Sequence, residues 1–218
     1  MAEVMRNFSP DTAGWVFMWI LLVTAVFMVA IAAERLVYIM RKSGLNAEKF
    51  AGEIRRLVGK GEYNKALQLC EAAKDKPLAH VLGAGVRKLA KEKQGEVDIR
   101  AIQNAVDEGA LEVIPKLHER TNLLATIGNV ATLIGLMGTI YGLILSFRSI
   151  SAPGIDATEK ARMLAAGIST AMNTTLTGLL IAVPAVLLYT YITNKTAKII
   201  DEIDEHTVKF INFLTEGR

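Results

Sequence analysis

Two runs of hydroxyl and amide side chains stand in stretches that carry no Asp, Glu, Lys, Arg or His. The first is Asn122, Thr126, Asn129, Thr132, Thr139 and Ser146, with steps of four, three, three, seven and seven. On a helix those steps return close to one face. The second is Thr170, Asn173, Thr174 and Thr177, at i, i+3, i+4 and i+7, with Thr175 one step to the side. Such oxygens order water and replace part of a cation's hydration shell. They also bond across helix pairs, each contributing about 0.6 kcal/mol, and Gly138-x-x-x-Gly142 suits close helix packing. For any single threonine, packing is the simpler reading. Ten polar side chains aligned on two faces exceed what packing needs and favour the lining of an ion-conducting path.

Neither run contains Asp, Glu, Lys, Arg or His. A proton relay inside a membrane uses such residues. Either the chain conducts nothing, or a second subunit supplies the titrating group. The rest of the sequence offers no competing chemistry. Cys70 is the single cysteine; it sits in the amphipathic run Tyr63, Ala66, Leu67, Cys70 and reads as a small buried thiol. His80, His118 and His206 are scattered without i, i+4 pairing and read as surface or interface residues. Gly83 and Gly85 follow no strand, and there is no phosphate loop, metal-ligand spacing or nucleophile motif. No enzyme activity is expected, and no cofactor or metal other than a transported H⁺ or Na⁺. The bilayer is an expected partner and nucleic acid is not.

The elements that must carry the two runs are membrane spans. The chain has 218 residues, 51% hydrophobic and 22% charged, with a net charge of +3. The charges avoid three stretches, 13–33, 121–147 and 163–194. Each is long enough for the roughly 20 apolar residues that cross about 30 Å of hydrocarbon. The first follows a segment with Arg6 against Glu3 and Asp11, a poor signal-peptide start, so it reads as a retained span. The segment from Arg41 to Arg120 holds 16 Lys and Arg, and that from Arg148 to Arg162 holds three. The positive-inside rule places the larger one in the cytoplasm. The organisation is therefore a periplasmic segment 1–12, a first span 13–40, a cytoplasmic helical domain 41–120, a second span 121–147, a periplasmic loop 148–162, a third span 163–194 and a cytoplasmic helix 195–218.

Within the cytoplasmic segment, one helix starts at Asn46 and ends near Gly59. A second covers Glu62 to Ala73. A third opens at Pro77, which the first helical turn tolerates, and breaks at Gly95. From Val97 the pattern stays helical to Phe147, with Pro115 as a kink near the membrane surface. The third span continues as an amphipathic tail to Leu214. The fold class is an all-α membrane protein whose long helices extend into a cytoplasmic helical bundle.

The run Gly135-Leu136-Met137-Gly138-Thr139-Ile140-Tyr141-Gly142 resembles the G-L-x-G-T-x-x-G motif of the MotA/TolQ/ExbB family, and Leu124-Ala125-Thr126-Ile127 extends the match. Gly167-Ile168-Ser169-Thr170-Ala171, Asn173-Thr174-Thr175, Gly178-Leu179 and Ala182-Val183-Pro184-Ala185 resemble that family's third span. The layout is nearest to ExbB and TolQ. The resemblance implies a bacterial inner-membrane homopentamer around a central pore. It also implies two copies of a single-span ExbD/TolR-like partner that contributes a membrane Asp. Thr139 and Thr175 match the family's pore threonines. Thr170, Thr174, Asn173, Thr177, Thr132 and Asn129 join them as candidate pore-lining residues, with Gly135, Gly138, Gly142, Gly178 and Pro184 as packing positions. This chain has Thr170 where many ExbB and TolQ members carry Glu, and Thr132 where many carry Pro. Adjacent Thr174 and Thr175 resemble the paired threonines of sodium-driven stators.

The function expected is that of an ion-channel and motor subunit, in which proton or sodium flow drives work at the periplasm or outer membrane. A non-conducting scaffold is one rival. A flagellar or gliding-type stator subunit is another, although those members usually have four spans.

Overall fold

The computed structural model describes residues 7–10, 12, 14–91, 98–151 and 154–216. Among them the regular structure is entirely helical: α1 (Trp15–Lys42), α2 (Ala47–Gly59), α3 (Tyr63–Ala72), α4 (Pro77–Lys91), α5 (Ile99–His118), α6 (Thr121–Ile150) and α7 (Ala157–Glu216). Three helical stretches are long and apolar enough to cross a membrane: Trp15–Lys42, Ile99–Ile150 and Ala157–Glu216. Only 22–28% of their most apolar windows is buried within the chain. Side chains such as Val26, Phe27, Leu133 and Leu180 therefore need lipid or other subunits as their solvent.

The chain divides into two compact units. One comprises Met1–Glu34 with Arg120–Thr190, the other Arg35–Glu119 with Tyr191–Arg218. In the first, α6 and α7 run antiparallel: Gly128 meets Ala182 and Ala185, Gly135 meets Thr174 and Gly178, and Gly142 meets Ala171. Met18 and Leu21 of α1 are fully buried, and the Phe17 ring lies 5.6 Å from that of Tyr141.

The second unit is a helical bundle around Ile54, Ala66, Val81, Leu82, Val86, Ile102, Val106, Ile203 and Phe210. Its helices begin where local chemistry directs. Asn46 accepts the Lys49 amide at 3.1 Å, and Asp98 accepts those of Arg100 and Ala101 at 2.9 and 3.3 Å. Pro77 opens α4. His80 bonds Glu112 at 3.1 Å, and Lys116 and His80 together hold the Glu112 carboxyl below its usual range. His206, expected at a surface or an interface, is buried in the second unit, 3% exposed.

One long helix over 97–147 is not what forms. The chain leaves α5 at Glu119, whose ψ is 136°, and turns at Arg120, whose φ of +57° is left-handed. Pro115 lies inside α5, which continues for a further turn, the Glu119 amide donating to the Pro115 carbonyl at 3.0 Å. The end is held instead by Arg35, which is 3% exposed and donates to the carbonyls of Leu117 (2.8 Å) and Lys116 (3.2 Å). The expected break at Gly95, the restart at Val97 and the first span's start at Ala13 lie outside the described residues. So does most of segment 1–12. The amphipathic tail forms as the end of a continuous α7 reaching Glu216.

Candidate functional site

The buried face of α6 is a seam of small residues: Gly128, Ala131, Gly135, Gly138, Gly142 and Ser146. Opposite it lie Gly167, Ala171, Thr174, Gly178, Ala182 and Ala185 of α7. The backbones come so close that a β-carbon on Gly178 would stand 2.6 Å from the Ala131 carbonyl oxygen, and one on Gly138 2.7 Å from Thr174 Oγ1. Small residues serve this purpose where lipid supplies no hydrophobic drive for helix association. Pro184 is exposed on the outer side of α7. Gly128 and Ala131 were not singled out from sequence, although the 3-4-3-4 spacing of small residues from Gly128 to Gly142 carries the signal.

Ser146 belongs to this seam and not to the polar stripe. It is 6% exposed, donates to the Gly142 carbonyl, and would collide with any side chain at Gly167. The reason is rotational drift: each seven-residue step falls about 20° short of a full return.

Thr174 is likewise buried in the seam, 1% exposed, its hydroxyl donating to the Ala171 carbonyl at 2.6 Å. Thr175 stands beside it, half-buried, and donates across the pair to the Gly135 carbonyl at 3.1 Å. Thr139 is half-buried and donates to Leu136 O at 2.6 Å. Thr132 donates to Gly128 O, Thr170 to Ala166 O and Thr177 to Asn173 O, at 3.1, 3.0 and 2.8 Å. Asn129 is exposed and Asn173 half-buried.

These residues fall on two flanks. At about 100° per residue, Thr132 and Thr139 lie roughly 50–70° round from the centre of the α6 seam, and Thr175 about 70° round from that of α7, in the same rotational sense. Because the helices are antiparallel, equal rotations bring all three to one side of the pair. Thr170, Asn173 and Thr177 are rotated the other way, onto the opposite flank. Tyr141, Leu145 and Ser149 also lie on that opposite flank, and there they line a cavity of about 620 Å³ with Thr12, Gly14, Trp15 and Phe17. The start of α1 thus lies beside Tyr141, Leu145 and Ser149 on that flank, away from Thr132, Thr139 and Thr175.

On both flanks each threonine proton is spent on a helix carbonyl. What faces outward is therefore lone pairs, an acceptor surface able to receive water, hydronium, a cation or the proton of a neutral carboxyl. No Asp, Glu, Lys, Arg or His lies within 121–147 or 163–194, and no cluster of metal-ligating side chains exists among the described residues. The second span is followed directly by Arg148 and then by Asp156; farther along, the exposed Glu159 carboxyl is held below its usual range by Arg162 at 2.7 Å.

Comparison with known proteins bears on this arrangement. The profile of the MotA/TolQ/ExbB proton channel family matches residues 73–205. Biopolymer transport protein exbB1 of Vibrio cholerae is 32% identical over 213 residues, covering 91% of this chain and 84% of that protein. Tol-Pal system protein TolQ of Haemophilus influenzae is 32% identical over 120 residues, 55% of this chain and 50% of its own length. Among solved structures, MotAB of C. jejuni shares the fold, with a TM-score of 0.63 at 18% identity, over 94% of this chain and 74% of that one. With a family profile across more than half its length and a full-length relative of this similarity, the chain belongs to the MotA/TolQ/ExbB proton channel family.

Proposed function

We propose that this protein is the ion-conducting subunit of an energy-transducing complex in a bacterial inner membrane, working with an ExbD/TolR-like partner. Five copies surround two copies of the partner's single span. Thr139 and Thr175 line the path, with Thr132 and Asn129 along the same helix, while Thr170, Asn173 and Thr177 present acceptors from the opposite flank to a neighbouring subunit. Thr174 holds the helix pair in register. The partner's Asp supplies the charge that the spans lack. Binding of an ion neutralises it, and the neutral carboxyl donates to a threonine oxygen and moves on. Each elementary charge carries about 2.3 kcal/mol per 100 mV. The N-terminus is periplasmic and the C-terminus cytoplasmic, so the bundle of the second unit lies on the side from which the potential draws no ion. Work is delivered at the periplasm or outer membrane, with protons as the coupling ion.

The observation that carries this reading is the set of threonine oxygens on one flank of the helix pair, their protons donated to helix carbonyls and no Asp, Glu, Lys, Arg or His in either span. Thr175→Val tests it. The substitution keeps the shape of the side chain and removes one interhelical bond worth about 0.6 kcal/mol, so the complex with its partner should elute unchanged in size-exclusion chromatography. Ion flux through reconstituted liposomes should fall at least about tenfold, a barrier change of about 1.4 kcal/mol. Undiminished flux at normal assembly would leave Thr175 as a packing residue and put the path elsewhere, whereas no flux from the wild-type complex would favour a non-conducting scaffold.

A further inference from the structure

Where α1 leaves the charge-free stretch, a small pocket opens within the second unit. Its volume is about 130 Å³, and Tyr38, Lys42, Lys74, Asp75, Lys76 and Lys116 are among the residues lining it. Four lysines thus line it with one acidic residue, and Glu112 beside it takes up one of the four, Lys116. Two of them are fixed in place by neutral partners: Lys42 Nζ donates to the Asp75 carbonyl at 2.6 Å, and Lys76 Nζ to the Arg41 carbonyl at 2.5 Å. Those bonds hold the ammonium groups without cancelling their charge, and each keeps two further donors. Lys116 is paired with Glu112 at 2.9 Å, and its proton is held more firmly for that reason. The Tyr38 ring carries Lys42 at 5.4 Å and the Arg35 guanidinium at 4.7 Å.

The depth of this pocket follows from the helix register. The charge-free stretch ends at Ala33, and Tyr38 follows five residues later, about 7.5 Å along the axis. That is the thickness of a headgroup layer, given roughly 30 Å of hydrocarbon within 40–45 Å of bilayer. Arg35 and Tyr38 therefore sit at phosphate level, with Lys42, Lys76 and Lys116 just beneath.

We infer that this pocket binds the phosphate of an anionic phospholipid headgroup, clamping α1 to the α3–α4 turn and to α5 at the membrane surface. The shared chemistry is a phosphate anion. The lipid is the source favoured here, because the pocket is placed at headgroup depth, where anionic headgroups attract clustered lysines.

The test uses the full chain in nanodiscs of phosphatidylcholine containing phosphatidylglycerol, with retained lipid counted by native mass spectrometry. Wild type should retain phosphatidylglycerol over phosphatidylcholine. Lys74→Gln, whose ammonium holds no backbone, should lower that preference about fivefold, and Lys74→Gln with Lys116→Gln about twenty-five-fold, at about fivefold per surface lysine. Lys74→Arg should restore it, and Lys49→Gln, an exposed lysine elsewhere on α2, should leave it unchanged. Lys42→Gln and Lys76→Gln would also loosen the fold, so the Lys74 and Lys116 variants carry the decision. Equal retention of the two lipids by wild type would overturn the proposal, as would an unchanged preference in the double variant. So would displacement of phosphatidylglycerol by millimolar inorganic phosphate, which would make the site a receptor for free phosphate.

Discussion

At the scale of single residues, the α6–α7 seam makes glycine a requirement at some positions and an indifferent choice at others. A β-carbon on Gly178 would press on the Ala131 carbonyl at 2.6 Å and on the Gly135 backbone at 3.1 Å, atoms that belong to helix backbone and have nowhere to go. Gly178→Ala should therefore destabilise the helix pair by about 1–3 kcal/mol, the usual cost of overpacking. Gly52, inside α2, meets nothing within 4 Å. There Gly52→Ala should add about 0.5–1 kcal/mol, because alanine loses less backbone freedom in a helix. Denaturant titrations of the two variants should move in opposite directions; a shift of the same sign would show that the close approach is not what glycine serves. Cys70 gives a pH-dependent case. Burial pushes its thiol up to about 12 from 9.0. The folded state thus favours the neutral thiol, a contribution fully present below the unfolded value near 9 and lost as the pH rises from there through about 12. Maleimide labelling of the native protein should stay slow from pH 7 to 9, while the unfolded chain labels faster with each step in pH.

At the scale of elements, the turn between α5 and α6 separates local from distant causes. Arg35 reaches 81 and 82 residues along the chain to fork onto two carbonyls at the end of α5. Arg35→Lys keeps the charge but not the planar fork. Hydrogen exchange at the Glu119 amide, in the last turn, should quicken about tenfold, and exchange near Asp98 at the far end of α5 should not change. This element also shows what a sequence can and cannot disclose. Asn46 and Pro77 mark their helix starts correctly because capping is decided within three or four residues. The three spans are legible because charge-free length is a property of composition. Pro115 misleads because it is the strongest local signal, whereas the actual stop at Glu119–Arg120 is fixed by a side chain from another helix. The polar stripe is legible as residue types and less so as a face. Its seven-residue steps carry Ser146 into the seam, and only the packed pair reveals that Thr175 and Thr170 lie on opposite flanks.

At the scale of the whole molecule, the decisive property is that the candidate path offers acceptors and no titrating group. Hydroxyl oxygens do not change charge across the physiological range, so this chain by itself has no means to impose a pH dependence on ion movement. If a partner's carboxylate completes the path, every titration seen in the complex belongs to that partner. Liposomes carrying this chain alone should dissipate an imposed proton gradient no faster than empty ones. Co-reconstitution with the single-span partner should raise the flux, and replacing the partner's membrane Asp by Asn should return it to background. Thr170→Glu then becomes informative. It places a second carboxylate on the α7 flank turned to the neighbouring subunit, where it faces that subunit's path, and like charges near the partner's Asp raise the pKa of one of them. The flux of that variant should acquire a second, higher apparent pKa while Thr175→Val shows none. Running the same liposomes with equal H⁺ or Na⁺ gradients identifies the ion: flux that follows the pH gradient and ignores Na⁺ supports a proton path, and flux that needs Na⁺ assigns the acceptor surface to a dehydrated cation.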